Sequence, residues 1–402
     1  MKNNHSQVIF FIGLLPFVMV LGNSMLIPLL PEIERDLELT NVETGLVLSM
    51  FSIPAAIVIP LIGFLSDRFG RKKLILISLV LVIVGSIICG LSSLLGGQSY
   101  RFHWLLAGRI VQGIGAGGTT PLAMALVGDI FVNDRSRVLG VLEVYNGIGK
   151  VLAPILGAAS AIWNWYFAFF ILPIIATLSY LGIRRHISSA SSEAATMSFR
   201  EYSLKLSLVF IKKRKLLIPL YVVGGVGLFL LFGVLYFLSF LIEDTYHIDG
   251  FFKGTAFIFP LGALTSTSYW TGKRIHKDAK LMKQLFFLGY GLMLVSFFAL
   301  IFINFFSCLL FFLTLAFGGL GFLLPSINTV ITSSVDDGER GFVVSLYGAI
   351  RFLGVAIGPI VFGVWMNDPA RMFIYCTIIL ACSFFYLVLS ISFQKQHLMK
   401  LA

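Results

Sequence analysis

Charge is what this 402-residue sequence has least of. Only 12% of its residues are Asp, Glu, Lys or Arg, against roughly 25% in an ordinary soluble domain. With 58% hydrophobic residues and a mean hydropathy of +0.94, too little polar surface remains to wrap a water-facing globule. That excludes an ordinary cytosolic enzyme and a disordered chain. Cysteine is scarce too. Cys89, Cys308, Cys376 and Cys382 all fall inside apolar runs and lack metal-ligand spacing, which excludes a disulfide-stapled secreted fold. No GxxxxGK[ST] loop occurs to cradle ATP, and no His/Cys/carboxylate cluster or Ser/His/Asp set emerges. The expectation is a protein that is not an enzyme, with no cofactor and no metal.

What the sequence has in abundance is long apolar runs. A hydrocarbon core of roughly 30 Å needs about 20 apolar residues per helix. Twelve stretches qualify, near 8–30, 43–65, 74–96, 104–127, 138–162, 166–183, 216–242, 253–271, 284–304, 306–330, 341–365 and 371–393. They are continuous rather than alternating, so a β-barrel is excluded. The connections between them sort by charge. Of the 30 basic residues, 23 fall on one side, and the other side holds Arg35, Arg101, Lys253 and Arg371. Positive loops stay cytoplasmic, so both termini are expected inside a cell membrane. The formal charge of +11 is thus an orientation signal and does not imply nucleic acid. Trp104, Trp163, Trp165 and Trp365 stand near the outer ends, where interfacial aromatic belts form.

The longest polar connection, 184–215, divides the spans six and six: 1–183, a cytoplasmic linker, and 216–402. Its second part is basic enough to form an amphipathic helix on the inner leaflet, or else is a solvated linker. The halves echo each other. GIGAGGTTPLAM…NDRSR…APILG over 113–157 answers GGLGFLLPSIN…DDGER…GPIVFG over 318–363. Pro121 pairs with Pro325, Arg137 with Arg340 and Pro154 with Pro359. Parallel six-helix repeats are a transporter pattern, with the binding site near the midplane. The fold class expected is all-α and membrane-embedded, with 12 transmembrane helices in two pseudo-symmetric bundles.

Three motifs sharpen this. After span two the chain reads Gly63-Phe-Leu-Ser-Asp67-Arg68-Phe-Gly70-Arg71-Lys72-Lys73. This loop resembles the GxLxDRxGRK signature of the major facilitator superfamily. The resemblance implies that Asp67 and Arg71 latch the inner face, joined by an acidic residue at the inner end of span four, where Asp129 fits. Span four carries Arg109, Gln112, Gly113 and Gly115, similar to the superfamily's RxxQGxG signature, whose arginine is linked to proton coupling. Span five reads Gly147-Ile-Gly149-Lys150-Val-Leu-Ala153-Pro154-Ile-Leu-Gly157-Ala158. It resembles the GxxxGPxxGG motif of the 12-span drug:proton antiporters, with Ala153 and Ala158 replacing glycines. The hinge residues implied are Gly149, Pro154 and Gly157. Relatives often place an acidic residue near Asn23, which this chain lacks.

Charges inside spans are costly and functional by default. They are Arg109, Glu143, Lys150 and Arg351. Three cations against one carboxylate predict a positive cavity that favours an anionic substrate on an aromatic or lipid-like body. Glu143 and Lys150 are the candidate proton carriers, and Tyr145 and Tyr347 the candidate apolar wall. The partners expected are a small-molecule substrate, protons and the lipid bilayer, with no nucleic acid and a monomeric state. The function expected is proton-coupled export of a drug or siderophore-like natural product. The alternatives are a multidrug exporter of lipophilic cations or neutral compounds, and, in another class, a lipid scramblase, membrane enzyme or non-transporting sensor.

Overall fold

The computed structural model describes residues 2–131, 134–187, 199–248, 250–275, 279–303, 305–335 and 337–399. Among them every regular element is helical, because hydrocarbon leaves no water to satisfy a backbone that is not paired within its own segment. Helices α1 (Lys2–Ser24) and α2 (Leu30–Leu37) are joined by a 3-10 turn, and α3 covers Asn41–Phe69. The α3 start is fixed by a capping box. Glu43 N–H donates to Thr40 Oγ1 at 3.3 Å while Thr40 N–H donates to the Glu43 carboxylate at 2.8 Å. Gly70 then separates α3 from α4 (Arg71–Leu91) at φ +85°, a conformation that side chains avoid. Next come α5 (Gln98–Ile130), α6 (Arg135–Ser160) and α7 (Ala168–His186).

A long helix α8 (Phe199–Phe240) runs straight from the second part of the connecting segment into span seven. The rest of that segment, 188–198, lies outside the described residues. A π-helical turn, Leu241–Thr245, ends the span. Then follow α9 (Gly250–Ala256), α10 (Ile258–Ile275), α11 (Ala279–Leu300), α12 (Phe306–Ser333), α13 (Asp337–Trp365) and α14 (Pro369–Met399). Among the described residues, eleven helices are long and apolar enough to cross a membrane. The eighth of the twelve expected spans, 253–271, is broken at Phe257 into α9 and α10.

The chain forms two compact units. The first holds Met1–Thr196, Gly233–Phe257 and Pro359–Val364. In it α5 packs on α1, α3 and α4, α7 on α1 and α4, and α6 on α1 and α9. The second holds Met197–Phe232, Ile258–Gly358 and Trp365–Ala402, with α12 packed on α10 and α11. One belt residue is corrected. Trp165 is fully buried, and its indole N–H donates to Asp36 at 2.9 Å, so it is a core residue. Trp104 and Trp163 are exposed.

Candidate functional site

Arg109 sits in the core of the first unit with no exposure. Its Nε donates to Val47 O on α3 at 2.9 Å, and Nη1 donates to Gly22 O on α1 at 2.6 Å and also to Gln112 Oε1. Gln112 passes the connection to α4 by donating to Ser86 Oγ at 2.7 Å. The guanidinium lies 4.5 Å from the centroid of the Phe51 ring. A planar fork with five donors is suited to this task, and Arg109 and Gln112 together tie four helices. Two buried polar atoms of this unit, Arg109 Nη2 and Asn23 Oδ1, have no hydrogen-bond partner among the described residues.

Span five is pressed against its neighbours. A Cβ at Gly157 would stand 1.9 Å from Met25 O, so only glycine lets α6 approach the end of α1. A Cβ at Gly149 would crowd Phe17 and Val20 at 3.2–3.3 Å. Pro154 is buried, and its carbonyl faces Gly254 of α9. Ala158 also abuts Gly254, so the alanine in place of a family glycine is accommodated by a glycine opposite. The candidate residues of this helix separate. Glu143 is exposed and Lys150 is half-buried. Tyr145 packs its ring over Gly13 of α1.

In the second unit, the Arg351 guanidinium lies 5.4 Å from the Tyr347 ring centroid, and Tyr347 stacks at 5.7 Å against Tyr221. Tyr221 donates to Val343 O at 2.7 Å. Tyr347 Oη and Arg351 Nε are buried without a hydrogen-bond partner among the described residues. Such groups are costly to leave without a partner.

At one end of the first unit, Arg71 pairs with Asp129 and also donates to Ala125 O. Both are partly exposed. Arg68 is exposed beside the Phe69 ring, and Gly63 lies half-buried within α3. The Asp67 side chain lies outside the described residues.

The opposite end holds a cluster that the spans and motifs do not reveal. Glu243, on the π-helical turn, pairs with Arg35 of α2 and accepts from Lys253 Nζ of α9 at 2.6 Å. Lys253 is 1% and Glu243 9% exposed. The expected loop position of Lys253 is therefore corrected to a buried one. The sequence signal was present: an isolated cation ahead of an apolar run, and an acidic pair closing another. They border a cavity of about 290 Å³ whose wall also includes Glu32, Ala158 and Ile162.

Comparison with known proteins bears on the family and the fold. The description "Major Facilitator Superfamily" attaches to a family model that matches residues 12–359. A bacillibactin exporter of Bacillus subtilis (strain 168) is 36% identical over 389 residues, spanning 95% of this chain and 96% of that protein. A triacylglyceride transporter of Mycobacterium tuberculosis (strain ATCC 25618 / H37Rv) is 32% identical over 37% of this chain and 28% of its own length. Among solved structures, the human organic anion transporter MFSD10 (TETRAN) is 22% identical, with a TM-score of 0.72 over 95% of this chain and 99% of its own. A D-xylose–proton symporter is 16% identical, with a TM-score of 0.75 over 97% and 96%. The glycine-packed span four with its buried arginine, the Arg71–Asp129 pair and the family match lead to one assignment: the chain is a membrane transporter of the Major Facilitator Superfamily.

Proposed function

We propose that this protein exports an anionic, aromatic small molecule of the siderophore kind across the cell membrane, in exchange for protons. The observation that carries the reading is the similarity along nearly the full length of both chains to an exporter of bacillibactin. The span-five residues Gly149, Pro154 and Gly157, which resemble the antiporter motif, support export. Arg351 and Tyr347 offer a cation and an aromatic face with unspent donors, the chemistry an acidic aromatic ligand needs. Lys150 adds a second cation at mid-span, and Glu143 is the carboxylate placed to exchange a proton. Both termini and the 184–215 linker lie in the cytoplasm, and the protein acts as a monomer of two six-helix halves, 1–183 and 216–402.

Proteoliposomes with an imposed proton gradient test this. An iron-free catecholate siderophore should accumulate with counter-movement of protons, and Lys150→Ala should weaken an acidic ligand about tenfold, roughly 1.4 kcal/mol, while sparing neutral ones. Movement of a lipophilic cation instead of the catecholate would transfer the assignment to multidrug export. Absence of substrate-dependent proton flux would remove antiport.

A further inference from the structure

We propose that the cavity where the start of α1 meets the end of α7 holds the headgroup phosphate of an anionic phospholipid. The inference goes beyond the export reading and does not depend on it. All the residues it uses lie in the first compact unit.

The cavity measures about 640 Å³ and is lined by Ser6, Gln7, Phe10, Phe11, Arg185 and His186. Its depth follows from the two helices. The segments able to cross a bilayer run His5–Leu37 and Trp165–His186, so the polar lining residues stand at the ends of two spans, where hydrocarbon gives way to headgroups. The wall is built by close packing. A Cβ at Gly182 would stand 2.1 Å from the Phe11 ring, so only glycine lets that ring reach the α7 backbone. Phe11 then stacks on His186, with centroids 5.3 Å apart and planes at 24°. Ser179 Oγ donates to Phe11 O at 3.1 Å and His186 Nδ1–H donates to Gly182 O at 3.0 Å, which hold the wall in place. Phe10 is 41% exposed and meets Phe11 edge-on at 5.3 Å. It offers an acyl chain an apolar surface beside the cavity.

Charge selects the headgroup. Among the described residues no carboxylate lines the cavity. The last turn of α7 carries Arg184, Arg185 and His186. Two guanidinium charges outweigh the roughly half negative charge of a helix C-terminus. Lys72 adds another cation at this end, its Nζ donating to Arg184 O at 3.2 Å. Arg185 is exposed and supplies charge-assisted donors to a phosphate, with Ser6 and Gln7 as neutral donors. The ammonium of a zwitterionic lipid would be brought among these cations, so a lipid with net negative charge is preferred.

Native mass spectrometry of the full-length protein from a neutral detergent, with phosphatidylglycerol and phosphatidylcholine of matched chains at equal concentration, reads the site. The wild type should retain phosphatidylglycerol about fivefold better, the effect of one cation at an anionic lipid surface. Arg185→Gln should erase that preference. Arg184→Gln, which loses the same charge from an exposed neighbour outside the lining, should keep it within about twofold. Gln7→Glu, which puts a carboxylate into the cavity, should cost as much as Arg185→Gln. Equal retention of the two lipids, equal losses from the two arginine variants, or a Gln7→Glu variant that retains the lipid as the wild type does overturns the proposal. Glycerol phosphate at the same concentration should not displace the lipid; displacement would make the ligand a soluble phosphate and overturn it as well. No proton gradient or transported substrate enters the measurement, so a failure of the export reading leaves its result standing.

Discussion

Spans four and ten are repeats of one another built with different chemistry. Gly115 of α5 and Gly319 of α12 stand at the same offset as Pro121 and Pro325, and both are pressed on a neighbouring backbone. A Cβ would come within 2.5 Å of Ser78 O in the first and 2.6 Å of Gly289 O in the second. The glycine packing is thus shared. At the same offset, however, Arg109 and Gln112 are replaced by the buried apolar residues Leu313 and Ala316. The second unit ties its helices with a lighter polar contact, Thr267 Oγ1 donating to Gly318 O at 2.9 Å. Small residues suffice to bring membrane helices together. A buried guanidinium is needed only where several helices must keep a polar connection, so the asymmetry marks span four as the place where the first unit departs from plain packing.

The comparison is broken most forcefully at Arg109. Arg109→Leu removes three charge-assisted hydrogen bonds and leaves Gln112 Oε1 without that donor, and a loss of about 3 kcal/mol is expected. Thermal unfolding in detergent should show it. Adding Gln112→Ala copies the span-ten pair and should recover part of the stability while transport stays lost. Full recovery of transport would mean that the arginine is only packing.

The shared half of the comparison is sharpened by Gly115→Ala and Gly319→Ala. Each forces two backbones apart and should cost roughly 1–3 kcal/mol, with the two losses similar in the same unfolding measurement. Unequal losses would show that the repeat is one of sequence and not of packing. The smallest effect is expected at the Arg71–Asp129 pair. Arg71→Gln breaks a partly exposed ion pair with Asp129 and should change stability by less than about 1 kcal/mol. If Arg71 latches the inner face, the same variant should alter transport rate far more than melting temperature.

How far the chain was readable follows from the range of each signal. The span lengths, the Gly70 turn and the crowding at Gly157 were legible, because each depends on residue types at fixed local spacing. Arg109 was legible as a charge inside a span but not as a tie between helices, since Gly22 and Val47 carry no mark of accepting from it. Trp165 reads as a belt residue from its position at a span end, yet Asp36 takes its N–H and buries it. Glu243 and Lys253 read as flanking charges because each stands at the edge of an apolar run. The eighth span hides its break because α9 and α10 are both apolar around Phe257.

By itself the sequence determined an all-helical membrane protein and its family, since hydrocarbon selects for apolar length independently of neighbours. Only the tertiary structure decided which charges meet. Arg35 and Glu243 are 208 positions apart along the chain, and no local pattern encodes a contact at that distance. It exists because packed helices bring both side chains to one buried place where a lone charge is too costly to keep.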